Sequence, residues 1–184
     1  IDTRQPAVAA AAFSAGADIV NDISAGTEPG MFECIAEHQG GVILMHMQGT
    51  PETMQDAPQY SDVVAEVRDY LLRRVELAVA AGIDAEKIAI DPGIGFGKTR
   101  RHNLKLLAGL KTFVATGVPV LLGTSRKRFM GAICEETVFT ELVGATCATT
   151  ALGVDAGVRI FRVHDVKANR QAADVAWATK YPDR

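Results

Sequence analysis

The feature that most constrains this chain is a rhythm: short apolar runs alternate with helix-periodic stretches, and each apolar run ends in polar residues. The run Ile88-Ala89-Ile90 ends at Asp91, after which Pro92 stops the strand and Gly93, Gly95 and Gly97 open a loop closed by Lys98. Other runs end at Asp2, at Asn21-Asp22, at His46, at Ser125-Arg126-Lys127, and at Arg162 with His164. Strict β/α alternation predicts a parallel sheet. Polar residues at the ends of several strands favour a (β/α)8 barrel over an open doubly wound sheet, which concentrates its site at one switch point.

Taken in order, the predicted strands are the end at Ile1 to Thr3, then 17–23, 41–47, 88–91, 118–122 and 158–163. The predicted helices follow Thr3 as a cap, span about 30–38, start at Ser61 as a cap, and cover 103–116, 142–157 and 166–180. This is about five full βα units plus the end of a preceding strand. The expectation is therefore a TIM barrel that is incomplete here: a single domain, 1–184, truncated at its N-terminus. Because the chain opens on Ile1 within a strand end, its activity alone is expected to be below normal.

Composition excludes several classes. The net charge of -3 gives no general attraction to nucleic acid or an anionic membrane. No apolar run reaches the roughly 18 residues that span a bilayer. Cys34, Cys134 and Cys147 match no metal or disulfide spacing, which points to a reducing cytoplasm.

The nucleotide-binding motifs fail on inspection. Gly97-Lys98-Thr99 follows a strand and precedes a helix, but a phosphate loop needs glycine five positions before Gly97, where Pro92 stands. The dinucleotide fingerprint has Lys98 where its last glycine belongs. His46 lacks a second His or Cys at ligand spacing and reads as a polar side chain at the barrel mouth. His38 and His102 read as surface residues of helices, and one of Met45 and Met47 faces the barrel interior. By contrast, Gly123-Thr124-Ser125-Arg126-Lys127 offers free N–H groups, a hydroxyl and two cations suited to an anion. Arg162 and His164 flank Val163 and share one side of their strand. An unpaired guanidinium in an apolar strand is costly, so Arg162 calls for a partner or an anionic ligand. Asp2, Asn21 and Asp91 add acceptors for a donor-rich heterocycle. No Ser-His-Asp or Cys-His arrangement is legible.

The chain resembles the dihydropteroate synthase family. The resembling blocks are Ile1-Asp2-Thr3, Asn21-Asp22-Ile23, Met45-His46-Met47-Gln48-Gly49 with Pro51 and Met54-Gln55, Asp91 to Lys98, Gly123 to Lys127, and Arg162 to Val166. They fall in the family's order over nearly the whole chain. The resemblance implies a TIM barrel that condenses 6-hydroxymethyl-7,8-dihydropterin diphosphate with para-aminobenzoate in folate biosynthesis, giving 7,8-dihydropteroate and diphosphate. Asp2, Asn21, Asp91, Gly123 and Lys127 would then hold the pterin, with Ile23, Met45 and Phe96 packing around it. Arg162 and His164 would take the diphosphate, while Phe96, Ser125 and Arg126 would border the aminobenzoate. Asp2, Asp91, Lys127, Arg162 and His164 would be the catalytic set.

The same resemblance implies Mg2+ as cofactor, with no metal ligand in this chain, since the family's metal-binding Asn lies upstream. It also implies sulfonamides as inhibitors, a homodimer and a cytoplasmic setting. Two alternatives compete: a pterin-dependent corrinoid methyltransferase domain and a catalytically silent pterin-binding fragment. Dependence on a corrinoid protein separates the first, and binding without turnover the second.

Overall fold

The computed structural model describes residues 1–183. The chain begins with α1 (Pro6–Ser14), β1 (Ile19–Asp22), α2 (Met31–Glu37), β2 (Gly41–Met45), α3 (Val63–Ala80) and β3 (Ile88–Asp91). It continues with α4 (Arg100–Ala108), α5 (Leu110–Val114), β4 (Leu121–Leu122), α6 (Arg128–Cys134), α7 (Val143–Ala156), β5 (Ile160–Phe161) and α8 (Val166–Lys180).

β1, β2 and β3 pair in that order, parallel, with Ile19 opposite Gly41 and Val42 opposite Ile88. β4 pairs with β5, also parallel. A parallel bridge between Ile90 and Val120 joins the two groups, and another between Asp2 and Asn21 lays the start of the chain along the free edge of β1. Spatial order thus follows sequence order throughout, with no reversal at which an open sheet would place a switch point. This is an arc of the expected parallel barrel.

Alternation along each strand sorts the side chains. Val42 and Leu44 of β2, Ile88 and Ile90 of β3, and Leu122 of β4 join the core with Val67 and Leu71 of α3, Leu106 of α4, and Leu110 and Phe113 of α5. The intervening residues Asn21, Met45 and Asp91 take the inner face near the strand ends. The polar residues that end the strands therefore converge on one mouth because the apolar ones are committed to the helical layer. Among the described residues no helix is long and apolar enough to cross a membrane.

Several local expectations are revised. α3 is capped by Asp62, not Ser61: its carboxylate accepts from the backbone N–H groups of Val64 and Ala65, while Glu66 accepts from that of Asp62. A carboxylate at this place satisfies orphan donors better than a hydroxyl one residue earlier. The N-cap of α1 is Gln5, whose N–H donates to the Thr3 hydroxyl. The single helix expected over 103–116 starts earlier, at the Thr99 cap, and breaks at Gly109 into α4 and α5. The short α6 begins at the helix start that the free N–H groups of Gly123 to Lys127 imply. β3 has its expected bounds, whereas β1, β2, β4 and β5 are shorter than their apolar runs. Pro119 contributes only a carbonyl, which accepts from the N–H of Ile90.

Candidate active site

The site is built around Asp91, at the C-terminal end of β3 and 1% exposed. Its Oδ1 accepts from the backbone N–H of Gly93 at 2.8 Å, and its Oδ2 faces Arg162 Nη2 at 3.4 Å. Arg162, just past β5, also donates through Nη1 to Asn21 Oδ1 at 2.6 Å. Asn21 in turn donates to Asp2 Oδ2 at 2.8 Å. One polar chain, Asp2–Asn21–Arg162–Asp91, thus runs across the mouth, and the guanidinium has the partners its apolar strand demanded. Burial pushes the Asp91 carboxyl up, opposed by the Gly93 N–H and by the cations Arg162, Lys98 and Lys127.

The glycine loop folds over this carboxylate. Gly93 adopts a left-handed φ of 68°, and a methyl group there would lie 1.9 Å from the carbonyl oxygen of His46. Only glycine fits so close an approach of two backbones. Phe96, half-buried in the loop, lies under Lys127, whose Nζ is 4.2 Å from the ring centroid. Burial draws the Lys127 ammonium below the usual lysine range, with Asp91 opposing and Arg162 adding to the effect. Asn103 of α4 braces the loop: its Oδ1 accepts from Gly95 N–H at 2.8 Å and its Nδ2 donates to Thr99 O at 3.0 Å. Tyr60 donates its hydroxyl to Gly97 O at 2.8 Å, and Gln55 donates to Gly95 O at 3.0 Å.

The anion-suited side of the mouth is a cleft of about 640 Å³ lined by Phe96, Gly123, Ser125, Lys127, Arg162 and His164, among others. Ser125 Oγ accepts from the backbone N–H of His164 at 3.1 Å and stands 2.8 Å from its Nδ1. Either the hydroxyl donates to Nδ1 or a ring Nδ1–H donates to the hydroxyl's second lone pair, and in both cases the contact fixes the ring. Arg126 borders the cleft, but its guanidinium forms a two-pronged ion pair with Asp165, at 3.2 and 2.9 Å. The Arg126 backbone, at a left-handed φ of 57°, donates to Thr146 Oγ1.

The sequence-predicted residues Asp2, Asn21, Asp91, Phe96, Gly123, Ser125, Lys127, Arg162 and His164 are brought together at this mouth. Met45 lies fully buried beside Asp91, its register partner in β3, and Ile23 is half-buried beyond β1. His46 departs from its expected place at the mouth. Alternation turns it outward, under the glycine loop, against Tyr70 in an edge contact at 5.0 Å. Burial and the neighbouring Lys98 ammonium hold its pKa down at about 3. Asp22, grouped with Asn21 in sequence, faces away and closes its own loop by accepting from Ser24 N–H, the Ser24 hydroxyl and Gly26 N–H. His102, expected as a plain surface residue, forms a capping box with Thr99.

Lys98, Asn103 and Tyr60 were missed. Lys98 was visible as the last residue of the glycine motif, whereas no sequence signal marked the other two.

A parallel β/α arc with carboxylate, amide and cations gathered at the C-terminal strand ends defines a (β/α)8-type ligand-binding domain. Residues 1–164 match the family described as pterin binding enzyme, and the chain belongs to that family. Among curated proteins it is 44% identical over 177 residues to the dihydropteroate synthase of Synechocystis sp., covering 96% of this chain and 61% of that protein. It is 43% identical over 179 residues to that of Escherichia coli, covering 97% and 63%. The chain thus spans a little over three fifths of the length of these relatives. Among solved structures it superposes with a TM-score of 0.96 on dihydropteroate synthase from Stenotrophomonas maltophilia with active site-bound imidazole, at 42% identity and covering 100% and 69% of the two chains. On the Thermus thermophilus enzyme in complex with 6HMPPP the TM-score is 0.92, at 40% identity and covering 96% and 70%.

Proposed function

We propose that this chain carries the pterin and diphosphate sites of a dihydropteroate synthase, which joins 6-hydroxymethyl-7,8-dihydropterin diphosphate to para-aminobenzoate. The observation that carries the reading is the Asp2–Asn21–Arg162–Asp91 chain, with Lys127 and His164 beside it. Relatives 38–42% identical to this chain have been solved with 4-aminobenzoate, with 7,8-dihydropteroate and with a sulfonamide drug, which supports those ligand classes here.

In the reaction, the bond from the pterin methylene carbon to the diphosphate oxygen breaks, and its electron pair leaves with diphosphate. The amine nitrogen then bonds to that carbon and gives up a proton to solvent. Asp91 and Asn21 accept from and orient the ring's amino and ring N–H groups. The Asp91 carboxylate also opposes the positive charge that grows on the pterin as diphosphate departs. Arg162 and the His164 ring hold the departing anion. Lys127 and Phe96 cover the ring, and the Ser125 end of the cleft borders the aminobenzoate. No covalent enzyme intermediate is needed.

Mg2+ belongs to the reading through the family resemblance. Among the described residues no three His, Cys, Asp or Glu side chains gather to hold a metal ion. The homodimer rests on the resemblance, and the cytoplasmic setting also on three free cysteines.

The test incubates the protein with the pterin diphosphate, para-aminobenzoate and Mg2+, following both pterin binding and aminobenzoate-dependent diphosphate release. Saturable pterin binding together with release that a sulfonamide suppresses is expected. Absence of both binding and release would contradict the reading.

A further inference from the structure

Lys98 closes the glycine loop and resembles a phosphate-loop lysine in sequence, yet it is 3% exposed and turned away from the cleft. Its Nζ lies 2.8 Å from the Phe96 carbonyl oxygen, 3.0 Å from His46 Nδ1 and 3.2 Å from the His46 carbonyl oxygen. An ammonium has three N–H donors, and here three acceptors meet them. No donor is left for a phosphate. The acceptors belong to two elements, the residue after β2 and the loop residue that lies under Lys127, so this one cation ties the loop to the sheet.

We propose that Lys98 is a positioning residue for the pterin site: it pins the glycine loop to the end of β2 and keeps Asp91 in its charged, ring-accepting form. The inference rests on the pterin reading of the site. Pinning follows from the contacts around it. The Gly93 N–H that holds Asp91 Oδ1 comes from the same loop, and a methyl on Gly93 would lie 3.3 Å from Lys98 Nζ. Gln55, Tyr60 and Asn103 hold Gly95 and Gly97 of the loop, and Lys98 anchors Phe96 O between them.

Charge is the second part. Asp91 is faced by Arg162 from beyond β5, Lys127 ahead of α6 and Lys98 from the loop, with neutral Asn21 opposite. Lys98 is faced by His46 from beyond β2 and, at longer range, by Lys127 and His102 of α4. Burial draws the Lys98 ammonium down to about 7, and Asp91 is the group that opposes this. A buried carboxylate and a buried ammonium that hold each other charged are expected to lose that state together.

Calorimetric titration with 6-hydroxymethylpterin at pH 6, 7 and 8 compares the unsubstituted protein with Lys98→Met. The variant should bind about tenfold more weakly at pH 6, where the Lys98 ammonium is present and an Asp91 without this counter-charge protonates earlier. The deficit should narrow toward pH 8, as Lys98 itself loses its proton. Equal affinity, or a loss of the same factor at every pH, would overturn the proposal.

If Lys98→Met does not fold, the unsubstituted protein still decides. In 15N-lysine spectra the Lys98 ammonium signal should move when 6-hydroxymethylpterin is added, and an unmoved signal overturns the proposal. An unsubstituted protein that binds no pterin at any pH would sink the site reading along with it. Pterin binding with an indifferent Lys98 sinks only this inference.

Discussion

Arg162 donates to Asn21 across the mouth of the arc, at 2.6 Å and 141 positions apart in the chain. A contact between the polar ends of the last and first named strands forms only if the intervening strands curve. The same guanidinium faces Asp91 at 3.4 Å, so one side chain joins three strands and leaves part of its surface open to the cleft.

Arg162 should therefore discriminate by charge. Arg162→Ala is expected to weaken binding of the diphosphate-bearing pterin by about 2–3 kcal/mol, as for a lost charged hydrogen-bond partner. The loss for 6-hydroxymethylpterin itself should be smaller. Competition binding with both ligands checks this; equal losses would place Arg162 with the ring and not the anion.

Ser125 should act through His164. Removing its hydroxyl in Ser125→Ala frees Nδ1 and the ring, while Ser125→Thr keeps the contact. Affinity for inorganic diphosphate should fall by about 1–2 kcal/mol in the alanine variant and recover in the threonine variant. Nitrogen NMR should find one His164 tautomer in the unsubstituted protein and the ring proton distributed over both nitrogens in Ser125→Ala.

His46 gives stability a pH dependence of predictable sign. Its folded pKa, about 3, lies below the ordinary 6.5, so the folded state favours the neutral ring. Its contribution is complete above pH 6.5 and is lost as pH falls toward 3, because the unfolded chain binds the proton first. Over the full window the effect is on the order of 4 kcal/mol. His46→Gln keeps an acceptor for Lys98 and cannot titrate. Urea unfolding at pH 4 to 7 should give a stability difference between the two proteins that narrows as the pH falls.

The barrel arc was legible because each strand is a β-branched or aliphatic run, and because Asp91, Ser125 and Arg162 interrupt apolarity at the strand ends. What was not legible has physical causes. Met45-His46-Met47 alternates in a way that allows either face inward, and the pairing of Met45 with Asp91 decides it. Lys98 in sequence resembles a solvent-facing cation, and only the backbone path of the loop supplies the acceptors that let it be buried. Asn103 acts on the backbone of a glycine 8 positions earlier and Tyr60 on one 37 positions later, roles that leave no mark on residue type or spacing. The break between α4 and α5 falls at Gly109, where a methyl would come within 2.9 Å of Val64, so packing selects a glycine that the helix period alone would not place.

The central claim is that Asp91, held by Gly93 N–H and facing Arg162, is the anchor of a pterin ring. Calorimetric titration of the protein and of Asp91→Ala with 6-hydroxymethylpterin tests it most directly. The account predicts saturable binding to the unsubstituted protein and a loss of about 1–3 kcal/mol in the variant, the range for a charged hydrogen-bond partner. Unchanged affinity in a folded Asp91→Ala protein would contradict it.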